Sequence, residues 1–265
     1  MTRSACAECD SFHPAGSVAY RPHPSLTPAP VAPLLDGTMP AISLDALDLA
    51  ALLCSRVCHD VISPVGAIVN GLEVLEEEKD AEMRAIATEL IQKSARTASA
   101  KLQFCRLAFG SAGSAGAFID SGDGEKVARN LLADDRTKLE WTAPRALMPK
   151  NKVKLMLNMC LIAAAAIPRG GVLKVEVIGE NDQMTLSVVA SGPNMRLASG
   201  VPALLQGEPE SGSVDAHGIQ AFYTGLIARA SGLDVRAEAT PEMVSVIAAP
   251  VAVPADAELA PSEVG

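Results

Sequence analysis

The stretch Leu44–Asp80, LDALDLAALLCSRVCHDVISPVGAIVNGLEVLEEEKD, contains the strongest periodic pattern in a chain of 265 residues. Its apolar residues form two series, each with a spacing of seven residues. The series are Leu44, Ala51, Cys58, Val65 and Leu72, and Leu47, Cys54, Val61, Ile68 and Leu75. Because the combined spacing alternates between three and four residues over five heptads, it predicts a long helix with a coiled-coil-like seam. We expect Ser43 to cap this helix and the polar run Glu76–Asp80 to end it.

A second apolar pattern predicts another long helix directly after this turn. It runs through Ile91, Ala95, Ala98, Leu102, Cys105 and Phe109, and it ends at Gly110 and SAGSAG. Two long helices joined by a short turn form an antiparallel hairpin. Because a hairpin alone has little core, two copies would pair into a four-helix bundle, and we expect a homodimer. The alternative is that the hairpin packs on the rest of its own chain.

Beyond residue 116 the pattern changes to a mixture of helices and strands. Helices are predicted at residues 125–133, 150–167 and 220–230, and strands at residues 138–142, 172–179, 184–191, 233–239 and 243–250. This order is typical of a sandwich with helices on one face of a mixed sheet. The predicted fold class is therefore α+β, with an N-terminal helical hairpin, paired by dimerisation into a four-helix bundle, followed by an α/β sandwich domain.

The same patterns divide the chain into four segments. These are a disordered Pro-rich leader at residues 1–42, a hairpin at 43–110, a sandwich domain at 117–250 and a flexible tail at 251–265. The leader contains Cys6-x-x-Cys9 with His13 and His23. A single CxxC beside two loosely spaced histidines is a weak metal motif, so an unstructured leader without a metal is favoured.

Composition excludes several classes of partner. The net charge of −9 and the scattered Lys and Arg residues argue against nucleic acid, because phosphate binding requires clustered positive charge. No apolar run approaches the roughly 20 residues that span a bilayer, and no secretory signal precedes the first helix. We therefore expect no membrane partner and a cytoplasmic location, where the six cysteines would remain thiols.

His59 lies inside the long periodic pattern, where a histidine is unexpected. It follows the seam position Cys58, so it is expected beside the bundle core but open to solvent. Pro64 cannot donate to the carbonyl of Asp60, and its ring clashes there, so it should bend the helix one turn beyond the histidine. Gly66 costs about 1 kcal/mol relative to Ala in a helix interior, and the missing side chain would leave room for a docked partner.

The helical face around His59 is small or polar, which suits a docking surface. At helical spacing this face includes Ser55, Arg56, Ile62, Ser63, Gly66, Asn70 and Glu73. We expect these residues to contact a partner. The alternative is an ordinary solvated surface histidine with an acidic neighbour.

An imidazole in this position is suited to nucleophilic group transfer. It is nucleophilic when neutral near pH 7, and the carboxylate of Asp60 could orient the ring or accept and return a proton. A thiol nucleophile formed by Cys58 with His59 as its base is a poorer hypothesis. Adjacent helical residues point about 100° apart, and Cys58 belongs to the seam.

The residues His59-Asp60-x-x-Ser63-Pro64 resemble the H-box of the dimerisation and histidine-phosphotransfer domain of sensor histidine kinases. The order of elements downstream resembles the ATP-binding domain of the same family, so that the resemblance covers residues 43–250. It implies that His59 is a phosphoacceptor and that Asp60 is its orienting acid or base. It also implies a histidine-kinase-like sandwich for the second domain.

The nucleotide motifs of that family are degenerate here. The N-L-L-x-N-A motif would fall on residues 158–163, where Ile162 replaces the asparagine that holds Mg²⁺. The V-x-D-x-G-x-G box would fall on residues 188–194, where Ala190 replaces the adenine-reading aspartate and Asn194 replaces the last glycine. The phosphate loop is reduced to His217-Gly218-Ile219, and the lid region at residues 200–215 is short. We therefore expect this chain to bind no cofactor, because the polar groups that hold nucleotide are missing.

A working H-box beside a degenerate nucleotide domain is similar to a family of bacterial histidine phosphotransferases. The resemblance implies a cell-cycle phosphorelay: the receiver aspartate of a hybrid histidine kinase donates a phosphoryl group to His59, which passes it to the receiver aspartate of response regulators. Mg²⁺ would belong to the receiver's acidic pocket. We expect part of the second domain to face the docked receiver. The alternatives are a non-catalytic, receiver-binding dimeric scaffold and, with less support, an ATP-dependent histidine kinase.

Overall fold

Two long helices begin the described part of the chain in a computed structural model, which describes residues 42–110, 118–180 and 183–251. Helix α1 spans Ala46–Glu77 and helix α2 spans Ala81–Ala108. They form the predicted antiparallel hairpin, and the hairpin and the following domain belong to one compact unit. The motif with Cys6 and Cys9, most of the leader and most of the tail lie outside the described residues.

Aspartates cap both helices of the hairpin. The Asp45 side chain accepts hydrogen bonds from the backbone N–H groups of Leu47 and Asp48 at 2.7 and 2.9 Å. The prediction that Ser43 caps α1 was wrong, because Asp45 lies immediately before the first helical residue and satisfies the unpaired N–H groups of the first turn. Asp80 caps α2 in the same way. The polar turn between the helices was predicted correctly.

Small residues allow α1 and α2 to approach closely. Pro64 and Gly71 are buried on α1, and Ala87 and Ala98 are buried on α2. A Cβ atom added at Gly71 would lie 2.6 Å from Cγ1 of Ile91. The absence of a side chain at Gly71 therefore lets α2 pack against this turn of α1.

Many of the predicted seam residues do not face α2. Leu47 is 82% exposed, and Val65 and Leu72 are 44% and 47% exposed. Val61 and Ile68 are half-buried. Within one chain, the heptad pattern of α1 thus leaves an apolar face without a partner.

Helix α1 is also long and apolar enough to cross a membrane by length and composition. Little of its apolar stretch is buried within the chain. Composition alone does not distinguish a membrane span from an apolar interface between helices. The expectation of no membrane partner stays a prediction.

A mixed five-stranded sheet covered by helices follows the hairpin. The helices are α3 (Ser121–Leu132), α4 (Lys150–Ala165), α5 (Val201–Gln206) and α6 (Ile219–Ala230). The strands are β1 (Phe118–Asp120), β2 (Thr137–Trp141), β3 (Leu147–Pro149), β4 (Gly171–Ile178), β5 (Thr185–Ser191), β6 (Leu233–Ala239) and β7 (Val244–Pro250). The order is β2-β4-β5-β7-β6, with β2 and β4 parallel and the other pairs antiparallel. The predicted α+β sandwich is confirmed.

Three short elements were missed by the sequence prediction. Strands β1 and β3 pair antiparallel as a separate two-stranded sheet, and each has only three residues. Helix α5 has six residues and begins next to a proline. Elements this short carry too few residues for an apolar period to be visible in sequence.

Helix α4 is the centre of the core. Leu155, Leu157 and Met159 are fully buried between the sheet and the neighbouring helices. The C-terminal turn of α2 joins this core, since Phe104 and Ala108 are also fully buried. The hairpin is therefore held by the second domain at the end of α2.

Two glycines on α1 should respond oppositely to substitution by alanine. We expect Gly71→Ala to lower the free energy of unfolding by about 1–3 kcal/mol, because the added methyl group overpacks the contact with Ile91. Nothing lies within 4 Å of a Cβ added at Gly66, so Gly66→Ala should be neutral or stabilise the helix by up to about 1 kcal/mol. Denaturant unfolding of both variants measures the difference. Equal stability of the two variants would contradict this packing.

Candidate functional site

His59 presents an exposed imidazole on the flank of α1. Its side chain is 75% exposed, and its Nδ1 atom lies 3.6 Å from Oδ1 of Asp60. That distance is just outside hydrogen-bond range, so a small rotation of either side chain would close it. The ring can therefore be oriented through Nδ1 while its other nitrogen, Nε2, remains for chemistry.

Asp60 is fixed by a second side chain on the same helix. Nε of Arg56 donates to Oδ2 of Asp60 at 3.0 Å, and both side chains are roughly a quarter exposed. This pair at i,i+4 holds the carboxylate beside the histidine. Arg56 was predicted to contact a partner, and within the chain it is engaged with Asp60.

Lys101 supplies the hydrogen bond that Pro64 cannot. Proline has no N–H group, so the carbonyl of Asp60, four residues earlier, lacks its usual helical donor. Nζ of Lys101 on α2 donates to this carbonyl at 2.6 Å. The proline is compatible with a continuous α1 because a charged donor from the neighbouring helix replaces the missing bond. The predicted bend stays a prediction.

The thiol beneath the site is not a nucleophile near neutral pH. Cys105 shares a cavity of ≈ 200 Å³ with Asp60 and Lys101. Burial, together with the negative charge of Asp60, raises the pKa of the Cys105 thiol to about 11. A thiol with such a pKa stays protonated and unreactive at pH 7. His59 is therefore the better nucleophile of this cluster.

The predicted docking face is mostly open to solvent. Its exposed members are Ser55, Ile62, Ser63, Asn70 and Glu73, while Arg56 and Gly66 are half-buried. Ile62 is 70% exposed, which is unusual for a large apolar side chain. These residues surround His59 on one long helix, but their contact with a partner stays a prediction.

A second histidine lies next to His59. The ring centroids of His59 and His217 are 6.3 Å apart, and the ring planes are inclined by 76°. His217 lies between α5 and α6, in the segment predicted as the remnant of a phosphate loop. Asp215 shapes this segment by accepting from the backbone N–H groups of His217 and Gly218 at 3.0 and 2.7 Å. The second domain thus contributes an imidazole, that of His217, to the surroundings of His59.

Ile162, one of the positions that depart from the nucleotide motifs, lines a cleft of ≈ 360 Å³. Ile162, Arg196 and Gly218 line the cleft together with Arg56 of α1. Ala190 is fully buried in the sheet, between Leu173 of β4 and Val244 of β7. Both side chains are apolar, so neither Ile162 nor Ala190 offers a polar side-chain atom to a ligand.

Two polar side chains near these positions form hydrogen bonds within the chain. Nδ2 of the fully buried Asn158 donates to the carbonyls of Ala108 and Lys154 at 3.1 and 2.9 Å. Nε2 of Gln220 on α6 donates to the carbonyl of Asn158 at 2.9 Å. The asparagine thus ties α4 to the end of α2, and Gln220 ties α6 to α4.

Gly192, the glycine that remains from the V-x-D-x-G-x-G pattern, has a packing role. A Cβ atom added there would lie 2.4 Å from the carbonyl oxygen of Gly170. Asn194, which replaces the last glycine of the pattern, has a positive φ of 55°, a conformation that asparagine tolerates better than most residues. The close approach of the Gly170 backbone therefore accounts for a glycine at position 192, and no bound nucleotide is needed to explain it.

A metal centre is not formed by the described residues. Among residues 42–110, 118–180 and 183–251, no group of three or more His, Cys, Asp or Glu side chains is arranged to hold a metal ion. Within the same ranges, Cys54, Cys58, Cys105 and Cys160 are free thiols. The site on α1 thus consists of imidazole, carboxylate, guanidinium and ammonium groups.

Sequence reasoning did not assign Lys101 or His217 to this site. The unpaired carbonyl that Pro64 creates at Asp60 was a signal that a donor must exist. Its identity depends on the pairing of α1 with α2, which sequence alone does not align. His217 had no comparable signal, because its position next to His59 depends on how the second domain packs against the hairpin.

Known proteins resemble this chain over most of its length. Residues 121–243 match the family described as "Histidine phosphotransferase C-terminal domain". "Protein phosphotransferase ChpT" of Brucella abortus (strain 2308) is 48% identical over 201 residues, covering 76% of this chain and 95% of that protein. A solved bacterial phosphotransferase is similar over 78% of this chain and 98% of its own, with 44% identity and a TM-score of 0.72. The match to the histidine kinase AdeS of Acinetobacter baumannii covers 72% of this chain and 95% of that one. It has 10% sequence identity and a TM-score of 0.39.

Replacing Lys101 should destabilise the hairpin at the site. We expect Lys101→Met to lower the free energy of unfolding by about 1–3 kcal/mol, because the carbonyl of Asp60 loses its donor. Lys93→Met, at an exposed position on the same helix, is the matched control and should change stability by less than about 0.5 kcal/mol. Denaturant unfolding measures both. A Lys101→Met chain as stable as the Lys93→Met chain would show that the bond contributes nothing.

Proposed function

The chain belongs to the ChpT family of histidine phosphotransferases, and from this premise we propose that it relays phosphoryl groups between receiver-domain aspartates through His59. The donor would be the receiver of a hybrid histidine kinase, and the acceptors would be receivers of response regulators. The exposed imidazole of His59, with Nδ1 facing Asp60, is the observation that carries the proposal.

The transfer step follows from the two nitrogens of the imidazole. The lone pair of Nε2 attacks the phosphorus of the donor's aspartyl phosphate, the P–O bond to the donor carboxylate breaks, and that carboxylate leaves with the electron pair. Asp60 would hold the proton at Nδ1 and stabilise the positive charge that develops on the ring. Transfer to the acceptor aspartate reverses these steps. Mg²⁺ in the receiver's acidic pocket would neutralise charge on the moving phosphoryl group.

The proposed relay uses no ATP. Ile162 and Ala190 place buried apolar side chains where a kinase has its metal-holding asparagine and adenine-reading aspartate. In the former lid region, α5 packs on α6, and its Leu205 is fully buried. Loss of the ligand-binding polar groups and a packed helix at the lid position both argue for a domain that does not take up nucleotide.

The proposed receiver-docking surface is the exposed face of α1 around His59, with Ile62 at its border with the apolar face of the same helix. Gly66, with nothing within 4 Å of an added Cβ, would let a partner approach the helix backbone one heptad beyond His59. The second domain lies beside this surface at His217. We therefore propose that it adds contact area for the receiver.

The apolar face of α1 supports a homodimer. It contains Leu47, Ala51, Cys54, Cys58, Ile62, Val65, Val69 and Leu72, all exposed in the single chain. Their spacing of three and four residues suits a helical bundle, and Met83, Ile86 and Leu90 are exposed on α2. A second hairpin with the same surface would cover both, with His59 remaining on the flank.

The environment proposed for this relay is the cytoplasm, with neither membrane nor nucleic acid as a partner. The apolar face of α1 is assigned to the dimer, which would cover most of the large apolar side chains that this helix exposes. The net charge of −9 disfavours a phosphate backbone as partner.

Phosphotransfer without ATP is the direct test of the relay. The purified chain, mixed with a phosphorylated receiver and Mg²⁺ but no ATP, should acquire acid-labile, base-stable phosphate, and it should pass that phosphate to a second receiver. His59→Gln should abolish both steps, because it removes the nucleophile. Glu238→Gln, at an exposed position on β6 outside the proposed docking surface, is the control and should be labelled normally.

Three outcomes would contradict the proposal, and each would favour a different function or site. A His59→Gln chain that still carries label would move the phosphoacceptor elsewhere. Receiver binding without any label on the wild-type chain would favour a non-catalytic scaffold. Labelling of the wild-type chain from ATP alone, lost in His59→Gln, would favour an ATP-dependent kinase.

A charge on the apolar face of α1 should break the dimer. We expect Leu72→Glu to convert the protein to monomers, because it buries a carboxylate in an apolar interface. Leu147→Glu, at a residue on β3 that is 72% exposed, is the control and should leave the dimer intact. Size-exclusion chromatography with light scattering measures the mass. A wild-type monomer, or a Leu72→Glu dimer, would contradict the assignment.

A further inference from the structure

The edge-to-face pair of His59 and His217 joins the hairpin to the second domain at the reacting group. The two rings are separated by 6.3 Å between centroids. His59 belongs to α1, whereas His217 precedes α6. Within residues 42–110, 118–180 and 183–251 they are the two histidines of the chain. Their proximity is therefore a product of the tertiary fold rather than of local sequence.

The backbone on either side of His217 is fixed by hydrogen bonds. Asp215 accepts from the N–H groups of His217 and Gly218, which orders the turn before α6. Gln220, the second residue of α6, is buried and donates to the carbonyl of Asn158 on α4. The position of the imidazole thus follows from the packing of α6, while its exposed side chain keeps freedom to rotate.

Two guanidinium groups lie near the two rings and can donate to an added anion. A phosphoryl group on nitrogen brings up to about two negative charges and three acceptor oxygens. Arg56, Arg196 and His217 line one cleft beside His59. The two nearby carboxylates are already engaged, since Asp60 accepts from Arg56 and Asp215 accepts from backbone N–H groups.

The distance between the rings suits a bridging phosphoryl group. A phosphoryl oxygen extends two bonds beyond the nitrogen that carries it, so it can come within hydrogen-bond reach of a ring whose centroid lies 6.3 Å away. Each imidazole presents at least one N–H donor in its neutral form and two in its cationic form. Rotation of the exposed His217 side chain would direct such a donor at the oxygen.

We propose that His217 is a phosphoryl-contacting residue of the second domain, whose ring N–H donates to an oxygen of the phosphoryl group on Nε2 of His59. The proposal rests on the proposed relay through His59. His217 forms no covalent bond and keeps its proton, so the balance of the transfer step is unchanged. Its contact stabilises phospho-His59 relative to the phosphorylated receiver, and it gives the degenerate nucleotide domain a part in the chemistry.

Three substitutions of His217 separate charge, hydrogen bonding and bulk. His217→Lys retains a cationic donor, His217→Gln retains a neutral donor, and His217→Ala removes both. The readouts are the equilibrium between phosphorylated receiver and phospho-His59, and the half-life of purified phospho-His59 without receiver. We expect His217→Ala to shift the equilibrium toward the receiver and to shorten the half-life, each by about fivefold, as for loss of one partly exposed charge-assisted hydrogen bond. Gln should be intermediate, and Lys should be close to wild type.

Binding of unphosphorylated receiver separates a phosphoryl contact from a docking contact. All three variants should bind that receiver within about twofold of wild type, because one exposed ring supplies little of the docking contact. Their melting temperatures should be unchanged because the side chain is exposed. An unaltered equilibrium and half-life in His217→Ala would overturn the proposal. So would weaker receiver binding that accounts for the whole effect, or a loss in His217→Lys equal to that in His217→Ala. Failure of the proposed relay is distinguishable, because wild-type His59 would then acquire no label.

Discussion

The arrangement of the site depends on how the end of α2 is held in the core of the second domain. Phe104 and Ala108 are fully buried there, and the amide of Asn158 donates to the carbonyl of Ala108. A buried carbonyl that lost this donor would cost about 1–3 kcal/mol. Because α2 in turn packs along α1, this anchor fixes His59 relative to α6. The proximity of His59 and His217 follows from it.

The positions at which the sequence resembles the nucleotide motifs of histidine kinases have packing roles in the second domain. Asn158 joins two helices, Gly192 allows a close backbone approach at Gly170, and Ile162 and Ala190 fill core positions. Each of these roles is structural and needs no ligand. A domain with this packing would be retained for stability and for its surface beside His59, which is how the proposed relay uses it.

Much of the architecture was predictable because its signals are local. The heptads of α1 and the alternating strands of the sheet are repeated patterns, so the hairpin and the order of the major elements were predicted with bounds close to those observed. The cap at Asp45 rather than Ser43, the short strands β1 and β3, and the six-residue α5 were not. Ser43 and Asp45 are both suitable residues for the N-cap of α1, so sequence alone does not choose between them. The short elements contain too few residues to show a periodic pattern.

The site was predictable only in its central residues. His59, Asp60 and Pro64 are close in sequence, so their relationship could be derived from helical geometry and proline chemistry. Lys101 lies 41 residues from Asp60, and His217 belongs to another domain. Their positions depend on helix register and domain packing, which are set by contacts across the whole core rather than by neighbouring residues.

The central claim is that Nε2 of His59 carries the phosphoryl group while Nδ1 faces Asp60. NMR spectroscopy of the chain labelled at histidine nitrogens, after phosphorylation from a receiver without ATP, resolves which nitrogen is bonded to phosphorus. The account predicts phosphorus–nitrogen coupling at Nε2 of His59, with the proton on Nδ1. Coupling at Nδ1, or at a histidine other than His59, would contradict it.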